Sequence, residues 1–161
     1  MKAVVVTDRA AGRAGMTLME RPEPEAAIND VVVRIHASGF VVTELDCPST
    51  WADRLGRDRT PSIPGHELAG VVTAIGYGTT GLSIGQRVFG LTDWSRDGTL
   101  AEYAAVEARN LAPLPGDSTS RWARACRSPD SQRGRGCSFT AVFKRGRPSS
   151  HTALRAQSDR W

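Results

Sequence analysis

The sequence predicts a mainly β domain over residues 1–117, either a barrel or a sandwich with few short helices, followed by an irregular basic tail over residues 118–161. Short β-branched runs alternate with glycine- and proline-rich turns, and no segment shows the length and period of a long helix. Charge divides the chain at the same place. Lys and Arg number 11 before residue 118 and 10 after it, whereas Asp and Glu number 15 and 2, so the segments carry net charges of −4 and +8.

Six segments have the β-branched and apolar composition of strands. They are Lys2–Thr7, Met16–Glu20, Asp30–Ser38, Leu68–Ile75, Gln86–Gly90 and Thr99–Val106. The fourth is nearly continuous in apolar residues, which predicts burial on both faces. A short helix is expected to begin within Thr43–Leu45, and the polar loop Cys47–Thr60 has room for one helical turn. Residues 118–161 show no period and are rich in Arg, Ser and Gly, which predicts disorder.

Several classes of protein are disfavoured by the composition. No segment approaches the ~20 apolar residues of a membrane span, and the first residues read as a strand rather than a signal peptide. The three cysteines, Cys47, Cys126 and Cys137, form neither a disulfide framework nor a CxxC pair. We therefore expect a reduced, soluble, cytoplasmic protein with no membrane partner, and the sequence leaves its oligomeric state open.

A glycine-rich segment, Gly76–Gly81, matches the pattern G-x-G-x-x-G and follows a predicted strand. Such a segment holds a pyrophosphate when a helix begins directly after it. Here the next predicted strand starts at Gln86, which leaves no room for a helix. The segment is therefore predicted to be a turn between two strands.

Four blocks of sequence carry a resemblance to a known family. They are GFVVTEL at 39–45, PGHELAGVV at 64–72, GQRVFG at 85–90 and GTLAEY at 98–103. In this order and spacing they resemble the N-terminal catalytic domain of medium-chain dehydrogenases/reductases. The resemblance implies a GroES-like, partly open β-barrel, an NAD(P)H-binding Rossmann domain after it, and an active site in the cleft between the two. The Rossmann domain is expected to be absent from these 161 residues.

The resemblance is closest to the zinc-independent, quinone oxidoreductase-like branch. Zinc-dependent members carry a cysteine at the position of Val41, and a hydrocarbon side chain supplies no thiolate for zinc. The four close cysteines of the family's structural zinc site are also absent. We therefore expect no metal, with His66 hydrogen-bonded within the cleft wall and Glu67 beside it.

The resemblance also implies roles for individual side chains. Thr43 stands where zinc-dependent members of the family place the hydroxyl that contacts the substrate oxygen, which makes it the candidate catalytic residue. The alternative is that Thr43 caps the short helix, with Asp46 three residues later. The candidate substrate-binding residues are Phe40, Val41, Trp51, His66, Glu67 and Trp94. Large aromatic residues more often serve packing than binding.

The tail begins where relatives continue into the cofactor domain, after Leu111–Asp117. If one base was gained or lost there, His151–Asp159 can be read in the shifted frame as Ala-His-Gly-Ala-Ala-Gly-Ala-Val-Gly, which resembles the family's dinucleotide-binding turn. We therefore expect a frameshifted fragment of a reductase that uses NADP or NAD on a small-molecule carbonyl, quinone or alkene. The fragment itself is expected to be inactive, to bind no cofactor tightly and to hold no zinc.

The alternative is a different class of protein, a β-barrel binding module whose basic tail binds nucleic acid. Ten positive charges in residues 118–161 could contact phosphates, and such binding would weaken steeply with salt. Few aromatic residues are available there for stacking on bases. Nucleic acid is therefore the less favoured partner.

Overall fold

The computed structural model describes residues 1–114 and the backbone of residues 138–141. The fold is mainly β. Its strands are β1 Lys2–Val6, β2 Met16–Glu20, β3 Asp30–Val41, β4 Glu67–Ile75, β5 Arg87–Leu91, β6 Tyr103–Glu107, β7 Leu111–Pro113 and β8 Ser138–Ala141. Helical structure within the described residues is limited to α1 at Pro48–Trp51 and to 3-10 turns at Gly12–Gly15, Val42–Asp46 and Ala108–Asn110. None of these helices has the length and apolar character needed to cross a membrane.

The strands form two antiparallel sheets that do not close into a continuous barrel. One sheet holds β1 and β2, and the other has the order β6-β3-β4-β5-β7, with β8 also paired to β3. Isolated β-bridges pair Ala3 with Ala101 and Val6 with Ser62. They connect β1 of the small sheet to two loop segments that lie outside the strands of the large sheet. The mainly β, partly open architecture expected from the sequence is therefore confirmed.

The long strand β3 organises the large sheet. It pairs with β4 from Val31–Ile75 to Gly39–Glu67, and the register shifts twice, between Val32 and Val33 and between Ile35 and Ala37. Such irregularities bend a strand and increase its twist. The bent strand carries the chain from the sheet into the 3-10 turn that begins at Val42.

Two groups of buried side chains form most of the core. In the first, the valines of β1 pack with Phe40, Leu45, Trp51 and Leu100. In the second, alternate residues of β3 contact apolar residues of β4, β5 and β6, as the two-residue period of a strand requires. Each fully buried Val or Leu contributes ~1.5–3 kcal/mol of transfer free energy.

Several predicted strands differ in extent from the observed ones. The segment predicted at Thr99–Val106 becomes a strand only at Tyr103, because Thr99 and Leu100 donate their backbone N–H groups to Gly65 O and Pro64 O instead. In β4 the first residues are buried on both faces, as predicted, whereas Thr73 is exposed. Strand β7 was not predicted.

Part of the tail also departs from the prediction. Residues 138–141 were expected to be irregular, but they form β8 along the end of β3. Pairing of this kind uses backbone groups and needs no particular side-chain pattern. The other residues of the predicted tail, 118–137 and 142–161, lie outside the described residues, as do residues 115–117.

The glycine-rich segment Gly76–Gly81 joins β4 to β5 without a helix, as the sequence predicted. Gly78 and Gly81 have φ of +82° and +79°, a region that favours glycine. Gly76 has a different requirement, because a Cβ at this position would lie 1.8 Å from the carbonyl oxygen of Ala27. The glycines therefore serve turn geometry and close backbone packing.

This difference predicts unequal costs for two alanine substitutions. Gly76→Ala forces two backbone segments apart, and we expect it to lower the free energy of unfolding by at least ~3 kcal/mol. Gly81→Ala meets nothing within 4 Å, so its cost is limited to the unfavourable φ, about 1–2 kcal/mol. Urea denaturation of both variants measures the difference, and equal losses would contradict the steric explanation.

Candidate functional site

The candidate site is built around the turn that precedes β4. Gly65 has φ of +88°, and a Cβ there would lie 2.9 Å from Thr99 Oγ1 and 3.0 Å from Leu100 Cγ. Its carbonyl accepts the Thr99 N–H at 2.8 Å, and its own N–H donates to Glu44 Oε2 at 3.1 Å. The turn is thus held from two directions, and it fixes the backbone position of His66.

The imidazole of His66 is almost completely buried, with 3% of its surface exposed. Its Nδ1 shares a hydrogen bond of 3.1 Å with Thr92 Oγ1, and its Nε2 lies 3.8 Å from Glu44 Oε2. The ring of Trp94 packs against it with 3.8 Å between ring centroids and 41° between ring planes. His66 is therefore hydrogen-bonded to Thr92, and its place in the wall of a substrate cleft stays a prediction.

Glu44 joins the two sequence blocks of the site. Its Oε1 accepts the N–H of Val41 at 3.2 Å, while its Oε2 accepts the N–H of Gly65. Only 4% of Glu44 is exposed. Sequence analysis missed this residue, since an acidic residue in a short polar helix usually faces solvent. The available signal was its position three residues after Val41, where a Glu side chain can accept the N–H of the residue that precedes a helix.

Burial shifts the pKa values of Glu44 and His66 in opposite directions. Burial raises the pKa of Glu44 to about 7, although the hydrogen bonds from Val41 and Gly65 favour the ionised form and lower it. Burial, assisted by the positive charge of Arg59, lowers the pKa of His66 to about 4. At neutral pH the site therefore holds a neutral imidazole beside a carboxyl group close to its titration midpoint.

The candidate catalytic residue Thr43 lies inside the 3-10 turn Val42–Asp46, and it is exposed. The turn begins after Val41, so Thr43 is not its N-cap, and the capping alternative with Asp46 is wrong. Since Thr43 precedes Glu44 directly, its hydroxyl is on the surface of the same turn whose buried side contacts the Gly65 turn.

The predicted substrate-binding residues separate into two groups. Phe40 and Trp51 are packed in the core with the strand β1, and Trp51 Nε1 donates to Leu45 O at 2.7 Å. Trp94 is 47% exposed and covers the His66 ring. Val41 and Glu67 are half-buried, at the end of β3 and the start of β4. The structure therefore brings His66 and Trp94 together, and it gives Phe40 and Trp51 packing positions.

The described residues do not fit a zinc ion. No three His, Cys, Asp or Glu side chains in this part of the chain lie together as a group of metal ligands. Val41 offers only hydrocarbon, and the Sγ of Cys47 contacts the Thr43 carbonyl oxygen at 3.9 Å. The glycine-rich turn at 76–81 does not have the form of a pyrophosphate-binding loop, because it connects two strands instead of opening a helix.

Comparison with known proteins agrees with this architecture. The family model described as "Alcohol dehydrogenase GroES-like domain" matches residues 27–116. The L-threonine 3-dehydrogenase of Ruegeria pomeroyi is 31% identical over 129 residues, which cover 64% of this chain and 37% of the relative. That of Saccharopolyspora erythraea is 38% identical over 92 residues, covering 56% of this chain and 25% of the relative.

Solved structures show the same relationship. An alcohol dehydrogenase superfamily protein from Novosphingobium aromaticivorans superposes with a TM-score of 0.61 at 33% identity, covering 75% of this chain and 36% of that one. A mycobacterial quinone oxidoreductase gives a TM-score of 0.60 at 26% identity, with coverages of 74% and 35%. The chain spans less than two fifths of the length of each of these four relatives. By its fold and by the match over residues 27–116, this chain belongs to the family of alcohol dehydrogenase GroES-like domains.

Proposed function

We propose that residues 1–117 are the substrate-side domain of a zinc-independent, quinone oxidoreductase-like enzyme that depends on NADP or NAD. The observation that carries this proposal is the buried Glu44–His66–Thr92 array beneath Trp94, with Val41 where zinc-dependent relatives have a thiolate. The reaction class agrees with the activities in the relatives' names, which are dehydrogenases and oxidoreductases. The substrate class is a small-molecule carbonyl, quinone or alkene.

In this proposal the chain's own residues bind and orient the substrate. Thr43 carries an exposed hydroxyl that can donate a hydrogen bond or a proton to the substrate oxygen. Trp94 presents its exposed half as an apolar wall that excludes water from the same region. His66 and Glu44 support that wall from below. The cofactor, which supplies hydride in such enzymes, is assigned to residues outside this domain.

We further propose that residues 118–161 result from a shifted reading frame, and that the 161-residue chain is an inactive fragment. The proposal is supported by the change in net charge at residue 118 and by the family-like sequence that a shifted frame can give when the third bases of the codons are chosen to fit. We propose a cytoplasmic location as well, because the number and spacing of the three cysteines in the sequence are not those of a disulfide framework. The relatives described above give no support to the nucleic-acid-binding alternative.

Activity in the two reading frames tests the proposed function. Resequencing the DNA from the codon for Leu111 past that for Trp161 should reveal a continuous second frame, and the chain from that frame should oxidise NADPH or NADH with a quinone, aldehyde or enone. The 161-residue chain should show no turnover. In the longer chain, Thr43→Val should lower kcat at least ~100-fold, whereas Thr43→Ser should retain most of it. Turnover by the 161-residue chain alone would contradict the proposal that this chain is an inactive fragment.

Elemental analysis tests zinc independence. We expect the purified chain to contain far less than one zinc per molecule after growth in zinc-supplemented medium, because the described site lacks a thiolate ligand. The matched variant Val41→Cys introduces a thiolate at that position, and any increase in bound zinc should appear only in this variant. A full equivalent of zinc in the unmodified chain would place the protein in the zinc-dependent branch.

The opposed pKa shifts of Glu44 and His66 predict an unusual dependence of stability on pH. The pKa of Glu44 rises from 4.5 to about 7 on folding. The contribution of Glu44 to stability is therefore present below pH 4.5 and is lost as pH rises to 7. The pKa of His66 falls from 6.5 to about 4 on folding. The contribution of His66 to stability is therefore present above pH 6.5 and is lost as pH falls to 4. Between pH 4.5 and 6.5 the two dependences oppose each other.

Removing the carboxyl group of Glu44 should reveal the pH dependence of stability that is due to His66. In Glu44→Gln the His66 dependence is unopposed, so on acidification from pH 6.5 to 4.5 the variant should lose stability relative to the unmodified chain by up to ~1.4 kcal/mol per pH unit. Urea denaturation at several pH values gives the two profiles. Glu23→Gln, at an exposed position, is the control and should follow the unmodified chain. Parallel profiles for Glu44→Gln and the unmodified chain would show that Glu44 does not titrate in this range.

A further inference from the structure

The loop that carries Trp94, residues 92–98, lies against the imidazole of the candidate site. At its start the N–H of Thr92 donates to His66 O at 2.8 Å. Trp94 is 47% exposed, yet its indole packs against the His66 ring with 3.8 Å between ring centroids. Holding a half-exposed aromatic side chain in one orientation costs conformational entropy, which contacts of the loop must offset.

Arg59 contacts this loop from the segment that follows α1. Its Nη1 donates to the backbone carbonyl oxygen of Trp94 at 3.3 Å, and its Nη2 lies 3.5 Å from Asp97 Oδ1. Nη1 also donates to Ser49 O in α1. The backbone N–H of Arg59 donates to Trp51 O at 3.1 Å. One guanidinium group therefore joins α1 to two residues of the Trp94 loop.

Burial distinguishes Arg59 from Arg54, an arginine of the same segment that also reaches the loop. The side chain of Arg59 is 14% exposed, so its charge requires hydrogen-bond partners within the fold. The side chain of Arg54 is 75% exposed and forms an ion pair of 2.8 Å with Asp93. Exposed ion pairs contribute little to stability. Arg54 is therefore a matched comparison for Arg59, with the same residue type and the same loop but without the burial.

The guanidinium group of Arg59 is suited to joining separate elements. It presents its N–H donors in a rigid planar fork, so that contacts to α1 and to the loop fix each other's positions. A lysine at this position would offer one ammonium group on a flexible chain. The contacts of Arg59 therefore depend on the shape of the group as well as on its charge.

The charge of Arg59 also acts on the imidazole that Trp94 covers. The pKa of His66 is lowered to about 4, first by burial and second by the positive charge of Arg59, while Asp93 opposes both effects. Glu44 faces the same imidazole from the 3-10 turn, with its Oε2 3.8 Å from Nε2. Arg59 is thus linked by a hydrogen bond to the covering residue and by its charge to the covered one.

We propose that Arg59 is a positioning residue of the candidate site: its guanidinium holds the loop 92–98 against α1 and thereby keeps the indole of Trp94 over the imidazole of His66. Arg59 acts through Trp94 and lies behind the wall that Trp94 forms. The consequence for substrate binding rests on the proposed function, in which the exposed half of Trp94 is an apolar wall. The positioning itself does not depend on that function.

Nuclear magnetic resonance of the 161-residue chain tests the proposal through the ring protons of His66. An indole ring centred 3.8 Å away shifts the resonances of these protons, and Trp94→Ala defines the size of that ring-current shift. In Arg59→Met most of the shift should be lost. The pKa of His66 should rise toward 6.5 in the same variant, because a positive charge and part of the burial are removed. Arg54→Met is the matched control and should leave both values unchanged.

Two results would overturn the proposal. One is a folded Arg59→Met chain that retains the ring-current shift, and the other is an equal loss of the shift in Arg59→Met and Arg54→Met. If Arg59→Met does not fold, Arg59→Lys decides, because it keeps the charge and lacks the fork. The shift should still decrease in Arg59→Lys, and an unchanged shift would reject the proposal. These measurements need neither cofactor nor turnover, so a failure of the proposed enzymatic function would not alter their result.

Discussion

The carboxylate of Glu44 is the constraint on which the site depends. It accepts the backbone N–H group of Val41 at the end of β3 and that of Gly65 in the turn before β4, which lies 21 residues after Glu44 in the sequence. Both acceptor oxygens are used, and the group is nearly inaccessible to water. A buried carboxylate retains its charge only when hydrogen bonds compensate for lost hydration. The fold supplies part of that compensation by bringing the bent end of β3 beside the Gly65 turn, and burial still raises the pKa of Glu44 to about 7.

The chemistry of the site follows from this arrangement. A neutral His66, held through Nδ1 by Thr92 and covered by Trp94, is a structural element of the wall rather than an exposed base. Thr43 is next to Glu44 in sequence and is exposed, which is the basis of the role proposed for its hydroxyl. In the proposed function, the domain would act by positioning the substrate and excluding water, both of which require a rigid, well-packed backbone.

Much of the fold was accessible from the sequence because β-branched runs and turn residues act locally. The bounds of β2 were predicted without error, and those of β1, β4 and β5 to within one residue. Strand β7 has three residues and includes Pro113, so no periodic pattern could develop. Thr99 and Leu100 have strand-like composition, yet their N–H groups bond to the loop before β4. A competing partner far along the chain is not encoded in local composition.

The sequence by itself determined the residue types of the site. It placed His66 before an apolar strand and Val41 and Thr43 shortly after Gly39, and it predicted that no helix follows the glycine-rich turn. Only the tertiary structure decided which side chains meet. Glu44 became buried, Phe40 and Trp51 entered the core, and Trp94 covered the imidazole. The physical reason is that burial and the pKa shifts it causes depend on packing between distant segments, whereas strand and turn propensities depend on neighbours in sequence.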